Sequence, residues 1–572
     1  MWGWAPAPAI MPRAFTRDAE AQTAGRTSTR IALPPWRACF LVASAAVVPF
    51  LSTLNTYFTG DDFGLIQLFS SKPPLHFLTL FTTSWTEMTY GRVLDELRPL
   101  VALSYQIDSL WGAATPAGYH TSNIAVHAAN ALLVLVLARG ICGLTSFGAT
   151  IAGALFAVLP VHAAAVAWIS GRADSIPSLF YLSAFLLFAM WRRQGSTQLY
   201  VGSLALSVFA LFSKQSAITF VVSIAMFDLL VERRAPKWSW SFARPYVPYV
   251  AATLLYLGLR YVLFGNAVRE QSVTDWTFLS FGLLQVVNVG QLILGWHSGN
   301  VGLETFVGAD AGALTLLGGG FILWSLVVLL AEGRKVLRRA PESRSRYVWY
   351  FGPAWWLIGS APLAVTYVSP RHLYLVAVGV AIVVGLALDV LWVSRRRALQ
   401  FLSAAGATVL IVMYGTLQRI EVDGLNSSGG VSAQAVRDVE REAFAAPPGS
   451  LLILDAPGQW TWGMPYVVRP PFMDPTATRD VYVMSNREVY CCSTEAWAVE
   501  TREVVARWAD QTHPGQVIVM RWDAAGNLMR VPTADQTGTR VRAYDLLATQ
   551  SSTELRQRLK VLLTPGSREA ND

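Results

Sequence analysis

Two adjacent carboxylates, Asp61 and Asp62, follow directly on an apolar run of the chain. An acid held there could take the proton from an acceptor hydroxyl as it attacks another centre. His120, Asn123, His127 and Asn130 recur at spacings of three, four and three, so they share one helix face. That stripe would descend from the surface into the membrane. His162, Arg172, Asp174, Lys214, Arg260, Arg371 and Tyr374 all fall at the ends of other apolar runs. Several cations at one rim would suit an anion such as a phosphate, whose growing charge they would stabilise. Each residue also has a plainer use. The Asp pair could cap a helix, and the His/Asn stripe could be interhelical hydrogen bonding. Arg172 and Asp174 could pair with each other, and Lys214, Arg260 and Arg371 could be anchors that reach to the interface.

The elements that must position these residues are membrane spans. The 572-residue chain is 53% hydrophobic and 14% charged, against about 25% charged for a soluble domain. Soluble, collagen-like, coiled-coil and disordered classes are excluded. Apolar runs at Ala38–Gly60, Tyr119–Ala138, Ser146–Ala167, Ser175–Trp191, Gln198–Phe212, Ala217–Val231, Tyr246–Phe264, Ala311–Ala331, Tyr347–Val368, His372–Val393 and Ala398–Leu417 predict about eleven transmembrane helices. The balance of 45 Lys and Arg against 37 Asp and Glu gives +8. In a membrane protein this reflects basic cytoplasmic loops rather than a nucleic-acid partner. Four cysteines form no disulfide framework and no zinc site.

Charge asymmetry orients the spans. If Thr277–Trp296 does not cross but lies along or dips into the outer face, as a surface or re-entrant helix, the N-terminus, Arg139, Arg192-Arg193, Arg233-Arg234-Lys237, Arg334–Arg346 and Arg395–Arg397 all face the cytoplasm. Every candidate site residue then lies at the outer face. Residues 1–37 read as a disordered cytoplasmic tail and 38–417 as the transmembrane catalytic domain. Residues 418–572 read as a small extracytoplasmic α/β domain with strands near Leu451–Asp455, Val481–Met484 and Val517–Trp522. Since it carries none of the candidate residues, the tail is expected to be dispensable for the chemical step. The location expected is a multi-pass cytoplasmic (inner) membrane protein.

Several runs together resemble a known family. These are Arg98-Pro99-Leu100, Gly118-Tyr119-His120 with Asn123, His127 and Asn130, Leu155–His162, Gly171-Arg172-Ala173-Asp174, Phe212-Ser213-Lys214-Gln215 and Arg371-His372-Leu373-Tyr374. In this order they resemble the membrane part of the transmembrane-and-TPR O-mannosyltransferase-like proteins and their bacterial relatives, within the GT-C superfamily of membrane glycosyltransferases. The resemblance implies a sugar donor on a polyprenyl-phosphate carrier and transfer with inversion on the extracytoplasmic face. The acceptor would be a hydroxyl of a protein, glycan or lipid of the cell envelope. It implies Asp61 and Asp62 as the catalytic acidic motif. Lys214, Arg260 and Arg371 would bind the phosphate, with Arg172, Tyr374, His120, Asn123, His127 and His162 behind them. No cofactor beyond the lipid-linked sugar is implied, and a divalent cation is left open, with no metal site assigned. The chain departs from the pattern at Leu159, Ala164 and Gln215, and no TPR array follows its spans. The competing readings are a lipid or solute transporter, and a polysaccharide polymerase or ligase with a lipid-diphosphate donor.

Overall fold

The protein is described by a computed structural model over residues 33–87, 89, 94–232, 240–268, 285, 288–293, 345–365, 369–394, 396–455, 464–467, 470–474, 482–485, 517–522 and 528–530. The apolar run 311–331, most of 277–296, the N-terminal residues up to 32 and the basic run 334–344 lie outside these residues. So do the predicted tail helices 494–510 and 545–563.

Ten of the expected apolar runs coincide with helices. In chain order these are α1 (Trp36–Val47, continued by a 3₁₀ stretch Val48–Asn55) and, after two short helices α2 (Asp62–Ser70) and α3 (Pro99–Ser109), α4 (Pro116–Val136). There follow α5 (Ser146–Val158), α6 (Ala163–Ala167), α7 (Arg172–Gln194), α8 (Thr197–Leu211), α9 (Phe220–Leu230), α10 (Val247–Phe264), α11 (Ser345–Ser360), α12 (Ala377–Trp392) and α13 (Arg397–Ala445). Among the described residues five helices are long and apolar enough to cross a membrane, or six if α5 and α6 form one span. Three more are apolar but shorter.

The run Ser146–Ala167 was expected as one helix, and proline explains why it is two. Pro160 has no N–H to donate and its ring pushes the preceding residue out of helical conformation. Leu159 accordingly takes ψ 128°, and the chain resumes bent by 51°. The 3₁₀ turn Ile169–Gly171 then starts α7. Gly171 must be glycine, because a Cβ there would lie 2.0 Å from the Ala164 carbonyl oxygen. At the other end of the bundle, Arg193 donates to the carbonyls of Gly140 (2.5 Å) and Ile141 (2.9 Å) just beyond α4. Arg139 donates to that of Leu144 (2.7 Å). Arg193 thus satisfies carbonyls that a helix end leaves without partners, and Arg139 one in the loop that follows.

The expected join between the last span and the tail, at Leu417, falls inside α13. This helix is 49 residues long and runs unbroken from apolar to polar sequence. Beyond it come β1 (Leu451–Asp455), a short helix α14 (Met464–Val467), β2 (Tyr482–Ser485), β3 (Val517–Trp522) and β4 (Leu528–Arg530). They form a sheet of order β2-β1-β3-β4. Strand β1 pairs in parallel with both β2 and β3, with Leu451 opposite Tyr482 and Val517, while β4 returns antiparallel with Met520 opposite Arg530.

Candidate functional site

The Asp pair occupies the start of α2, with Asp61 as its N-cap residue. The two carboxylates have different surroundings. Asp62 is buried, 2% exposed, and its Oδ1 accepts from the Ser170 N–H (2.8 Å) and the Ser170 hydroxyl (2.6 Å). Its Oδ2 accepts from the Thr59 N–H at 3.0 Å. Asp62 therefore ties the loop after α1 to the turn that begins α7. Asp61 is half-buried, and among the described residues its carboxylate makes no hydrogen bond or ion pair. Burial, assisted by the Asp62 charge and opposed by Arg371, raises it to about 6. Burial raises Asp62 to about 6 as well, against the hydrogen bonds from Ser170 and Thr59 and the charge of Arg172. A carboxylate near 6 is a better proton acceptor than an ordinary Asp and is still largely ionised at neutral pH.

Asp174, in the first turn of α7, brings two of the expected cations together. Lys214, in the turn after α8, pairs with its Oδ1, and Arg371 donates to its Oδ2 at 3.1 Å. The Arg371 guanidinium also lies over the Trp168 ring, 5.0 Å from its centroid. The ion pair imagined between Arg172 and Asp174 does not form. Burial lowers the Lys214 ammonium to about 8, Asp174 opposes that, and Arg98 and Arg371 push it further down. Asp174, Lys214, His372 and Tyr374 line a cleft, with Tyr181 and Leu363 on its apolar walls.

The remaining expected phosphate ligands are placed differently, and for physical reasons. Arg172 is 1% exposed. It donates to Asp108 Oδ2 (2.5 Å), Ser104 Oγ (3.1 Å) and the carbonyls of Tyr119 (3.0 Å) and Ile169 (3.2 Å). With its donors taken up and its face 4.6 Å from the Tyr105 ring centroid, it fastens α3, α4 and α7 together. Arg260, equally buried, donates to the carbonyls of Ala267 (3.0 Å) and Asp95 (2.9 Å). It holds the loop before α3.

The His/Asn stripe repairs the helix break. Losing the Pro160 N–H and the following turn leaves carbonyls of α5 without intrahelical donors. His162 Nδ1 donates to Phe156 O (2.8 Å), while His127 Nε2 (3.0 Å) and Gln418 Nε2 (3.0 Å) donate to Ala157 O. Asn123 Nδ2 reaches the carbonyls of Val166, Trp168 and Ile169 at 3.1–3.3 Å. His120 Nε2 donates to Thr56 O (3.1 Å). Since His127 donates through Nε2, its Nδ1 accepts from the Tyr374 hydroxyl (2.7 Å), which in turn accepts from Asn130 Nδ2 (3.2 Å). His120, Asn123, His127, His162 and Tyr374 are all at most 2% exposed. Their hydrogen bonds join neighbouring helices and turns, and of the five Tyr374 also lines the cleft.

Sequence reasoning passed over Arg98, Asp108 and Ser170 as site residues. Arg98 pairs with Glu96 at 3.2 Å and lies close enough to lower Lys214. The signal for Arg98 was available, a cation at the same end as the others. For Ser170, nothing in its own type pointed to Asp62, 108 residues away. Among the described residues, no group of three or more His, Cys, Asp or Glu side chains is placed to hold a metal ion.

Comparison with known proteins bears out the expected resemblance. Over 195 residues the chain is 34% identical to protein O-mannosyl-transferase Tmtc1 of Drosophila melanogaster, covering 33% of this chain and 22% of that protein. Over 225 residues it is 31% identical to protein O-mannosyl-transferase TMTC4 of Homo sapiens, covering 35% and 30%. The match thus spans between about a fifth and a third of these relatives' lengths. No protein-family model matches the chain. Among solved structures, ArnT from Cupriavidus metallidurans in the apo state aligns over 85% of this chain and 93% of its own at 13% identity, with a TM-score of 0.48.

Proposed function

We propose that this chain is a membrane glycosyltransferase of the GT-C type. It takes a sugar from a polyprenyl-phosphate carrier and gives it to an acceptor hydroxyl on the extracytoplasmic face. A protein acceptor is favoured by its similarity to protein O-mannosyl-transferases. The observation that carries the reading is the pairing of Asp61, a carboxylate of raised proton affinity without a hydrogen bond among the described residues, with the Lys214–Asp174–Arg371 cluster beside a cleft.

The chemistry follows from that arrangement. Asp61 accepts the proton of the acceptor hydroxyl as its oxygen bonds to the anomeric carbon. The bond from that carbon to the carrier phosphate breaks, and the phosphate departs with one more negative charge. Lys214 and Arg371 act where that charge grows, so they stabilise the transition state more than the bound donor. Asp174 aims both cations before the donor arrives, so little reorganisation remains for the reacting moment. Asp62 takes no proton in this scheme; it fixes the loop.

The test is turnover of a polyprenyl-phosphate sugar by purified protein in liposomes, with donor binding measured alongside. Wild-type transfer that Asp61→Asn abolishes, with donor binding kept, supports the reading. Full transfer by Asp61→Asn, or passage of the lipid across the bilayer without transfer, overturns it.

A further inference from the structure

The sequence offered no role in catalysis for the tail, yet the tail and the acidic loop share one hydrophobic core. Phe58 and Phe63 bracket Asp61 and Asp62 in sequence, and Phe472 sits against both, with ring centroids 5.2 Å and 4.9 Å away. Both contacts are edge-on, the arrangement in which one ring's positive edge meets the other's negative face. All three phenylalanines are buried in the same cluster as Tyr466 and Met473 of the tail and Leu452 of β1.

The fit is close on the far side as well. Gly64, one turn into α2, faces the Tyr466 ring, and a Cβ added there would lie 3.1 Å from its Cε2. Helix α13 grips the loop from before Asp61. Asn426 accepts from the Thr56 hydroxyl at 2.5 Å. Further along, Glu440 accepts from the Asp474 N–H at 3.3 Å and raises the neighbouring Tyr57 by its charge, second to burial. The loop that carries the acids is thus pressed between α13 and the segment around Phe472. Its partner in the membrane part is the Ser170 turn, which Asp62 grips.

We propose that the tail segment around Tyr466 and Phe472 is a wedge that holds Asp61 in its reacting position, with Phe472 as a positioning residue. The proposal rests on the glycosyltransferase reading above. It reverses the expectation that the tail is dispensable for the chemical step. The physical reason is that, among the described residues, the Asp61 carboxylate makes no hydrogen bond or ion pair. Its location is set by the loop that carries it, which the Asp62 hydrogen bonds hold on one side and the tail packs on the other, and a displacement of about 1 Å in a reacting group can cost on the order of a hundredfold in rate.

The experiment uses the full chain, with Phe472→Ala and the milder Phe472→Leu. Two quantities are read: amide hydrogen exchange over residues 57–70, and kcat against KM for the lipid-phosphate donor. Expected are faster exchange in that segment and a kcat lower by about tenfold or more, with the donor KM within about twofold. Phe472→Leu should recover most of both. Should Phe472→Ala not fold, Phe472→Leu against wild type is read the same way, with smaller effects. Unchanged exchange over residues 57–70 overturns the wedge, and so does faster exchange with kcat retained. A rise in KM alone does the same. If exchange responds but wild-type protein transfers no sugar from any polyprenyl phosphate, the contact stands and the glycosyltransferase reading falls.

Discussion

Two neighbouring aspartates have been given different tasks by what reaches them. Asp62 accepts three hydrogen bonds and is 2% exposed; Asp61 accepts none among the described residues. Asp61→Asn should therefore lower kcat by roughly 10²–10⁴, the usual worth of a general base, while a donor-binding assay reads as wild type. Asp62→Asn should be milder, and it should leave a further mark. The Asp62 charge helps to raise Asp61, so removing it moves the acid limb of the pH–rate profile to lower pH. In the wild-type protein, kcat/KM should rise with pH through about 6, where Asp61 loses its proton, and fall through about 8, where Lys214 loses its own. Lys214→Gln should abolish the upper limb, and a profile flat between pH 5 and 9 would exclude both assignments. The position of the acid pair beside an apolar run was legible in the sequence. Which of them Ser170 takes up was not legible, since Ser170 is remote in the chain.

Among the elements, one broken helix decides which polar residues are structural. The break at Pro160 leaves carbonyls in a place without water, where each must find a donor, and the histidines and asparagines of α4 and its neighbours supply them. Their helical spacing was readable from sequence. Their partners were not, because periodicity shows which residues share a face and not what the opposite face lacks. The cations divide on the same principle. Arg172 neutralises Asp108 within a buried junction of three helices, so Arg172→Gln leaves a buried carboxylate uncompensated. That should cost about 3–5 kcal/mol of stability, seen as a lower melting temperature in detergent, with donor KM unchanged in the folded fraction. Lys214 and Arg371 line up on Asp174 beside the cleft. Lys214→Gln or Arg371→Gln should instead raise donor KM or slow turnover by about tenfold, from loss of a charge-assisted contact, with a smaller effect on melting. Wild-type kinetics in both variants would make them interface anchors, and the phosphate site would have to be sought elsewhere.

At the scale of the whole molecule, hydropathy found the helices and charge bookkeeping proposed a direction for them, but neither could show that α13 carries the chain unbroken from apolar to polar sequence. A change of composition near Leu417 reads as a boundary; a continuous helix can cross one, because backbone hydrogen bonding is indifferent to whether side chains face lipid or water. The consequence is a two-ended molecule. Asp61, Lys214, Arg371 and the tail gather at one end, and Arg139, Arg192 and Arg193 at the other. The tail is packed onto the acid loop, so wherever the tail resides the site resides too, and one labelling experiment orients both. Basic residues favour the cytoplasmic side, so the proposed orientation has the arginine end inside and the site outside. With the native cysteines replaced by serine, Asp474→Cys and Gln194→Cys provide exposed thiols at the two ends. An impermeant thiol reagent added to intact cells should label Asp474→Cys at once and Gln194→Cys only after permeabilisation. The reverse pattern would place the acids in the cytoplasm, away from a donor presented in the outer leaflet, and would end the extracytoplasmic mechanism. Labelling of both from the same side would contradict the two-ended arrangement itself.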